Sequence, residues 1–166
     1  MMRSAWFVAV IAALFSGRVM AQQEIILVRH AELQGAAMAD PKSLPLSADG
    51  KARAERLANL LRDAHVGAIY ATDFLRTQKT ARPLARNLEQ RLIVVPKGDA
   101  REFTARLRRE NAGDIVLVVG HTDTLPGLFK ALGYPFKVKI DAQDYGNLFI
   151  VTPRPQGAPG FVRLRY

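Results

Sequence analysis

The sequence predicts an α/β protein, a three-layer α/β/α sandwich around a mainly parallel central sheet. Short, unbroken apolar runs alternate with amphipathic helical segments through most of the 166 residues. Apolar runs of this kind are typical of strands that helices cover on both faces, as in parallel sheets. The length and the 49% apolar composition predict one domain with a substantial core.

The first 21 residues are predicted to be a secretory signal. Arg3 precedes an apolar run over residues 5–15, and Val19-Met20-Ala21 places small or apolar residues before a cleavage point. The run is shorter than the ~20 residues of a membrane-spanning helix. We therefore expect a signal peptide over residues 1–21 and a single domain over residues 22–166. The mature protein would be secreted or periplasmic, with no integral membrane segment. A buried or membrane-anchoring N-terminal helix is the alternative.

Each strand and helix is predicted from the pattern of its apolar residues. Buried or half-buried runs predict strands over residues 24–28, 66–71, 92–95, 114–119, 136–140, 147–152 and 161–165. Apolar residues at helical spacing predict helices over residues 47–64, 74–88, 100–111 and 124–132. Ser47 is a suitable N-cap for the first helix, and Pro83 is expected to kink or split the second. The strand over residues 114–119 is the most apolar and is expected near the centre of the sheet.

Polar residues follow three of these strands directly. Arg29 and His30 follow the first strand, Thr72 and Asp73 the second, and Gly120 and His121 the strand over residues 114–119. Ligands of parallel α/β sheets bind beyond the carboxyl ends of the strands. Two histidines at such strand ends, with Arg29 and with Arg76 shortly after the second strand, indicate a site for an anion.

These residue types suit phosphoryl transfer. The transferred group carries negative charge on three oxygens, so catalysis depends on positioning and on electrostatic stabilisation. Arginine binds such oxygens through a planar, bidentate fork, and a neutral imidazole can attack phosphorus and hold the phosphoryl group covalently. The chain has no cysteine, which excludes a thiolate nucleophile or a thiolate metal site.

Four segments resemble a known family, the histidine phosphatase (phosphoglycerate-mutase-like) superfamily. Residues 27–32, Leu-Val-Arg-His-Ala-Glu, resemble its Arg-His signature, and Ala31 is the variant of the small branch. Residues 44–54 are similar to its Leu-Thr-x-x-Gly-x-x-Gln-Ala block. Residues 70–81 resemble the block that supplies a phosphate-binding arginine, and residues 118–124 the block of the second histidine. The matches occur in family order, and together with the predicted signal they suggest a small secreted bacterial-type branch.

The resemblance implies a phosphoglycerate-mutase-like fold and a role for each matching residue. His30 would be the nucleophile, Arg29 and Arg76 would bind the phosphate, and His121 would be the second histidine in contact with it. Thr72 could add a hydroxyl to the site, although packing at the strand end explains it equally well.

The proton donor to the leaving group is left open by the resemblance. Asp123 lies two residues after His121, and Glu32 lies two residues after His30. Glu102 lies near the start of the helix over residues 100–111 and ranks third. Each of the three could instead be an ordinary surface carboxylate or a charge that stabilises a helix start.

Charge and mechanism limit the partners. The formal charge is +9, and loss of Arg3 and Arg18 with the signal leaves +7. A basic exported protein favours anionic partners, namely a small phosphate ester or a phosphorylated envelope component. Basic residues without interleaved aromatics do not indicate nucleic-acid binding. No cofactor or metal is expected, and the sequence does not indicate an oligomeric state.

The expected activity is that of a phosphomonoesterase that forms a covalent phosphohistidine on His30 without a metal. The loops after the strands are brief, and an open site favours hydrolysis over the mutase reaction, which must exclude water. The alternatives are a phosphohistidine or phosphoprotein phosphatase, and a catalytically inactive phosphate-binding module.

Overall fold

A computed structural model describes residues 23–35 and 40–166, so the predicted signal peptide lies outside the described residues. The strands are β1 Glu24–Arg29, β2 Val66–Thr72, β3 Leu92–Val95, β4 Ile115–Gly120, β5 Asn147–Thr152 and β6 Gly160–Arg165. The helices are α1 Ala48–Leu60, α2 Leu75–Asn87, α3 Ala100–Glu110 and α4 Leu125–Ala131.

The strands form one six-stranded sheet in the order β3-β2-β4-β1-β5-β6. The pairs β3–β2, β2–β4 and β4–β1 are parallel, whereas β5 and β6 continue the sheet antiparallel beyond β1. The prediction of a mainly parallel sheet is therefore confirmed, and β4 lies inside it as expected. Because β2, β4 and β1 are adjacent and parallel, their carboxyl ends meet at one edge.

Helices cover both faces of the sheet, which confirms the three-layer prediction. Alternate residues of β1 point to opposite cores, with Ile25 and Leu27 on one side and Ile26 and Val28 on the other. Helices α3 and α4 pack on the first side, and α1 and α2 on the second. Strands buried on both faces have no polar side, which explains their unbroken apolar sequence.

Helix α1 begins as the sequence predicts and packs tightly on the loop after β1. The Ser47 hydroxyl accepts a hydrogen bond from the backbone N–H of Gly50 at 3.0 Å. A Cβ at Gly50 would lie 2.2 Å from the backbone oxygen of Glu32, so a residue with a side chain would push this loop away. The glycine lets α1 approach the backbone that follows His30.

Two expectations are wrong, namely a split of the second helix at Pro83 and a strand over residues 136–140. Helix α2 runs through Pro83 as one helix, and Pro83 itself is buried. The carbonyl that loses its donor belongs to Lys79, an exposed residue where water can replace the missing bond. Residues 136–140 do not form a strand. Val138 and Ile140 pack on the core, but β5 and β6 already occupy that side of the sheet.

Candidate active site

The three strand ends bring both histidines together. Arg29 pairs with Gly120 at the ends of β1 and β4, and the backbone N–H of His30 donates to the Gly120 carbonyl at 2.9 Å. The rings of His30 and His121 lie 5.4 Å apart between centroids, edge to face. Both residues are buried, with 5% and 4% of their surface exposed. The structure thus brings together the strand-end residues that the sequence singled out.

His30 is held as a neutral imidazole with one free nitrogen. Its Nδ1 lies 2.8 Å from the Ala31 carbonyl oxygen, which can only accept, so Nδ1 carries the proton and Nε2 keeps its lone pair. The pKa of His30 is lowered to about 3, mainly because the ring is buried. The hydrogen bond to Ala31 raises the pKa in part, whereas the positive charges of Arg29 and Arg76 lower it. At neutral pH Nε2 is therefore available as a nucleophile.

Arg29 is held by the loop that precedes β5. Its Nη1 donates to the backbone carbonyls of Ala142 at 2.7 Å and Asp141 at 3.3 Å. The ring of Tyr145 lies 4.0 Å from the guanidinium carbon, within the range of a cation–π contact. The buried Nε of Arg29 has no hydrogen-bond partner.

Arg76 is held in the same way from the other side of the site. Its Nη1 donates to the Pro41 carbonyl at 2.6 Å, and its guanidinium carbon lies 4.4 Å from the centre of the Phe74 ring. Its Nε is also buried and without a partner. Both arginines therefore use Nη1 on main-chain carbonyls and keep an Nε–H donor unused.

His121 is oriented by two threonine hydroxyls. Its Nε2 lies 2.8 Å from Thr72 Oγ1, which lies 2.9 Å from Thr77 Oγ1. Thr77 in turn donates to main-chain carbonyls, of which that of Phe74 is the closer, at 2.8 Å. The hydroxyl proton of Thr77 is used in these bonds, so the Thr72 hydroxyl must donate to the Thr77 oxygen. The Thr72 oxygen then accepts a hydrogen bond from Nε2–H of His121. This arrangement leaves a lone pair on Nδ1, which is buried and unpartnered.

The free site keeps His121 neutral as well. Burial lowers the pKa of His121 to about 4, and the nearby charges of Arg76 and Lys97 act in the same direction. A bound anion would oppose these effects and favour a proton on Nδ1. His121 would then become a charged donor that faces the anion.

Unsatisfied polar groups are concentrated here. Buried side-chain polar atoms nearly always have a hydrogen-bond partner. Of the five without one in residues 23–35 and 40–166, three are the Nε atoms of Arg29 and Arg76 and Nδ1 of His121. All three belong to residues whose charges act on His30.

Glu32 is bound by Arg53 and does not serve as a free carboxyl group. Arg53 Nε donates to both carboxylate oxygens at 2.8 and 2.9 Å, and Nη2 donates to Oε1 at 2.6 Å. Partial burial opposes ionisation of Glu32, but the hydrogen bonds from Arg53 leave its pKa below the ordinary value. The structure therefore places Glu32 in an ion pair that fixes the loop after His30.

Asp123 and Glu102 lie on the exposed side of the site. The Asp123 carboxylate forms an ion pair with Lys97 and is 65% exposed. Burial alone would raise the pKa of Asp123, but the Lys97 hydrogen bond lowers it overall. Its charge acts on both Arg76 and His121. Glu102 is exposed on the first turn of α3.

Sequence reasoning missed three residues that shape the site. Tyr145 contacts Arg29 and lies 6.0 Å from His30 between ring centroids. The Thr80 hydroxyl accepts from the Ala31 N–H at 3.0 Å and donates to the Arg76 carbonyl at 2.8 Å, so it links the loop after β1 to α2. Thr77 completes the chain from His121. Thr77 and Thr80 are three residues apart on one face of α2, and this spacing could have identified them from the sequence. Nothing in the sequence marked Tyr145.

A cavity of about 660 Å³ opens at the carboxyl ends of the strands, between α3 and α4. Thr72 and Gly120, from the strand ends, form part of its wall. Within the described part of the chain, no cluster of three or more His, Cys, Asp or Glu side chains has the arrangement of a metal site. Nor does any described helix have the length and apolar character needed to cross a membrane.

One family model matches part of the chain. Residues 25–103 match the model of the histidine phosphatase superfamily (branch 1). No curated protein sequence matches the chain.

Solved structures show the same fold. The protein histidine phosphatase SixA complexed with tungstate is 20% identical with a TM-score of 0.71, over 86% of this chain and 96% of SixA. Phosphoserine phosphatase from Entamoeba histolytica, in complex with 3-phosphoglyceric acid, is 15% identical with a TM-score of 0.63, over 87% of this chain and 97% of that protein. A mycobacterial glucosyl-3-phosphoglycerate phosphatase is 16% identical with a TM-score of 0.61, over 77% of this chain and 89% of that protein. The match to the family model and the shared fold together support an assignment of the chain to the histidine phosphatase superfamily.

Proposed function

We propose that this chain is a phosphomonoesterase that works through a covalent phosphohistidine on His30. One observation carries the proposal. Three buried nitrogens of Arg29, Arg76 and His121 lack partners beside an imidazole whose Nε2 lone pair is free. This combination provides both a binding site for a phosphate group and a nucleophile to attack it.

The first step transfers the phosphoryl group to the enzyme. His30 Nε2 attacks phosphorus, an N–P bond forms, and the bond between phosphorus and the ester oxygen breaks. The Ala31 carbonyl accepts from Nδ1–H and so disperses the positive charge that the attack places on the ring. Arg29 and Arg76 stabilise the equatorial oxygens, whose charge is greatest at this stage.

The second step regenerates the enzyme. A water molecule attacks phosphorus, the N–P bond breaks, and inorganic phosphate leaves while the lone pair returns to Nε2. A protonated His121 would remain bound to a phosphate oxygen through Nδ1 during both steps. No step requires a metal or an organic cofactor, because imidazole is the nucleophile and the two arginines supply the positive charge.

Neither Glu32 nor Asp123 is a strong candidate for a proton donor at neutral pH. Arg53 and Lys97 keep the two carboxylates ionised through their hydrogen bonds. We therefore assign Glu32 to positioning the loop after His30. Asp123 is the carboxylate best placed to act near the leaving group, although its pairing with Lys97 makes it a weak source of a proton. The enzyme should then favour leaving groups that depart without help.

A phosphohistidine or phosphoprotein substrate is the second candidate function. The pairing of Glu32 with Arg53 and of Asp123 with Lys97 favours it, because an imidazole leaving group is less basic than an alkoxide. The protein histidine phosphatase SixA shares the fold. A phosphate-binding module without turnover is the third, and it would keep the anion site while failing to form the covalent intermediate.

Export is part of the proposal. The charged start, the apolar run over residues 5–15 and the small residues before residue 22 support a signal peptide. A mature chain of charge +7 in the periplasm or outside the cell would meet phosphate esters or phosphorylated envelope components. Replacement of the first 21 residues by a cytoplasmic start should then leave the protein inside the cell.

Trapping of the intermediate tests the function directly. His30→Asn keeps a polar side chain of similar size but cannot attack phosphorus. Acid-labile label from a ³²P-labelled aryl phosphate should accumulate on the wild type and be absent from His30→Asn. His65→Asn is the matched control, since His65 is exposed and Asn tolerates its positive φ of 51°. Full activity of His30→Asn would exclude the mechanism, and anion binding without labelling of the wild type would indicate the binding module.

A further inference from the structure

The cavity between α3 and α4 plays no part in the chemistry described so far. Its volume of about 660 Å³ lies in the range of small-molecule sites, which is roughly 300–1,000 Å³. It is a cleft open to solvent, because Lys97, Asp99 and Glu102 on its wall are exposed.

The cavity adjoins the phosphate site through two residues of its wall, Thr72 and Lys97. Thr72 lines it and also touches His121, whose Nε2 lies 2.8 Å from the Thr72 hydroxyl. Lys97 lies on its rim, 5.8 Å from the centre of the Phe74 ring, and that ring lies 4.9 Å from the ring of His121. A molecule whose phosphate sits beside His121 could therefore extend past Phe74 into the cavity.

The lining indicates what the cavity would accept. Much of its wall is aliphatic or aromatic and includes Val95, Phe103, Val118 and Leu128. The three cations that line it are already paired: Lys97 with Asp123, and Arg106 and Arg109 with Glu110. Because these charges are neutralised locally, the cavity has no cation reserved for a second anionic group.

We infer that this cavity binds the organic part of the substrate, and that this part is an uncharged, largely apolar alcohol or phenol. The inference rests on the proposed phosphatase function and specifies its substrate class. The phosphate would bind Arg29, Arg76 and the histidines, while the apolar group would be removed from water between α3 and α4.

Two positions allow the cavity to be filled without touching the phosphate site. A Cβ at Gly127 on α4 would meet the Ala100 Cβ at 3.4 Å, an ordinary contact, so a side chain can begin there. Gly127→Leu would then extend into the cavity from α4, and Ala100→Leu from α3. Ala52→Leu is the matched control, because Ala52 is exposed on α1 at the opposite face of the sheet.

The kinetic test compares phenyl phosphate with 4-butylphenyl phosphate, whose leaving groups have similar basicity. Each buried CH₂ is worth about fourfold in binding, so we expect kcat/KM of the wild type to rise at least tenfold with the butyl chain. Gly127→Leu should abolish this gain but leave inhibition by vanadate, which has no organic group, within about twofold of the wild type. Ala52→Leu should keep the gain. A wild type indifferent to the butyl chain, or a Gly127→Leu variant that keeps the preference, would overturn the inference.

A binding measurement separates this inference from the proposed function. Isothermal titration calorimetry with 4-butylphenol, which has no phosphate, should show binding to the wild type and none to Gly127→Leu. Ala100→Leu gives an independent result if Gly127→Leu does not fold. If 4-butylphenol binds but no ester is hydrolysed, the phosphatase proposal fails and the apolar site stands. No binding of 4-butylphenol to the wild type contradicts the cavity assignment.

Discussion

The hydroxyl of Thr72 lies 2.8 Å from Nε2 of His121, and it is the only hydrogen-bond partner of that ring that the described residues provide. Thr77 and the Phe74 carbonyl continue the chain, so the direction of each proton is determined. His121 therefore presents Nδ1, and not Nε2, to the site.

Loss of this hydroxyl should alter the tautomer of His121. We predict that Thr72→Val lowers kcat about tenfold or more, the scale of one hydrogen bond to a charged group. Nitrogen-15 NMR of the imidazole should show the proton moving from Nε2 toward Nδ1 in the free protein. Thr72→Ser should restore both properties. Thr104→Val is the control, because Thr104 is also buried and its hydroxyl donates to the Arg101 carbonyl, away from His121. An unchanged NMR spectrum of Thr72→Val would refute the assigned role.

Anion binding should take up a proton. In the free protein the pKa of His121 is about 4, since burial and the charges of Arg76 and Lys97 disfavour the imidazolium. A dianion beside Nδ1 raises this pKa, so affinity should increase as pH falls from 8 to 5. Sulfate is the suitable probe, because it does not titrate in this range. Calorimetry in buffers of different ionisation enthalpy should report proton uptake for the wild type and none for His121→Asn. Sulfate affinity independent of pH would contradict the model.

Arg76 should act as a fork rather than as a point charge. Arg76→Ala is expected to lower kcat at least ~100-fold, the scale of losing one preorganised donor to developing charge. Arg76→Lys should recover only part of the loss, because an ammonium group cannot hold the Pro41 carbonyl and a phosphate oxygen in one plane. Steady-state kinetics with nitrophenyl phosphate measures both. A lysine variant as active as the wild type would rule out the bidentate role.

Activity should not depend on a divalent ion. We expect EDTA to leave kcat unchanged, since His30 is the nucleophile and the arginines carry the charge. Vanadate should inhibit competitively by adopting the five-coordinate geometry of phosphorus next to His30. If EDTA abolished activity and zinc or magnesium restored it, the phosphohistidine mechanism would have to be abandoned.

Leaving-group dependence should identify any proton donor. A general acid matters most for strongly basic leaving groups. Because Arg53 and Lys97 lower the pKa values of Glu32 and Asp123, the wild type should hydrolyse nitrophenyl phosphate far faster than alkyl phosphates. Glu32→Gln should slow both substrates equally, through the loop after His30, and Glu102→Gln should slow neither. A defect of Asp123→Asn confined to alkyl phosphates would instead identify Asp123 as the acid.

The strand-end residues could be placed from the sequence because buried parallel strands have a strong signature and a fixed direction. Once β1, β2 and β4 were recognised, the meeting of Arg29, His30, Thr72 and His121 followed from topology. Glu32 was harder to interpret. Its distance of two residues from His30 suggested a catalytic role, but its partner Arg53 lies 21 positions further along the chain, on the buried side of α1.

The loop that carries Tyr145 could not be placed in advance. It was expected to follow a strand over residues 136–140, but its backbone carbonyls bind Arg29 instead of pairing in the sheet. Contacts of this kind depend on main-chain atoms, which every residue has, and so they leave no trace in residue type. Pro83 was misleading for a related reason, because the cost of a proline in a helix depends on whether water reaches the carbonyl that it leaves free.

The use of main-chain carbonyls to hold both arginines has a consequence for how this protein can diverge. Substitutions at Pro41, Asp141 or Ala142 keep the carbonyl oxygens, so the side chains there are free to drift while the arginines stay in place. A one-residue insertion or deletion in either loop would shift the acceptors by about 3.8 Å and release the guanidinium groups. The two loops are thus tolerant of changes in residue type and intolerant of changes in length.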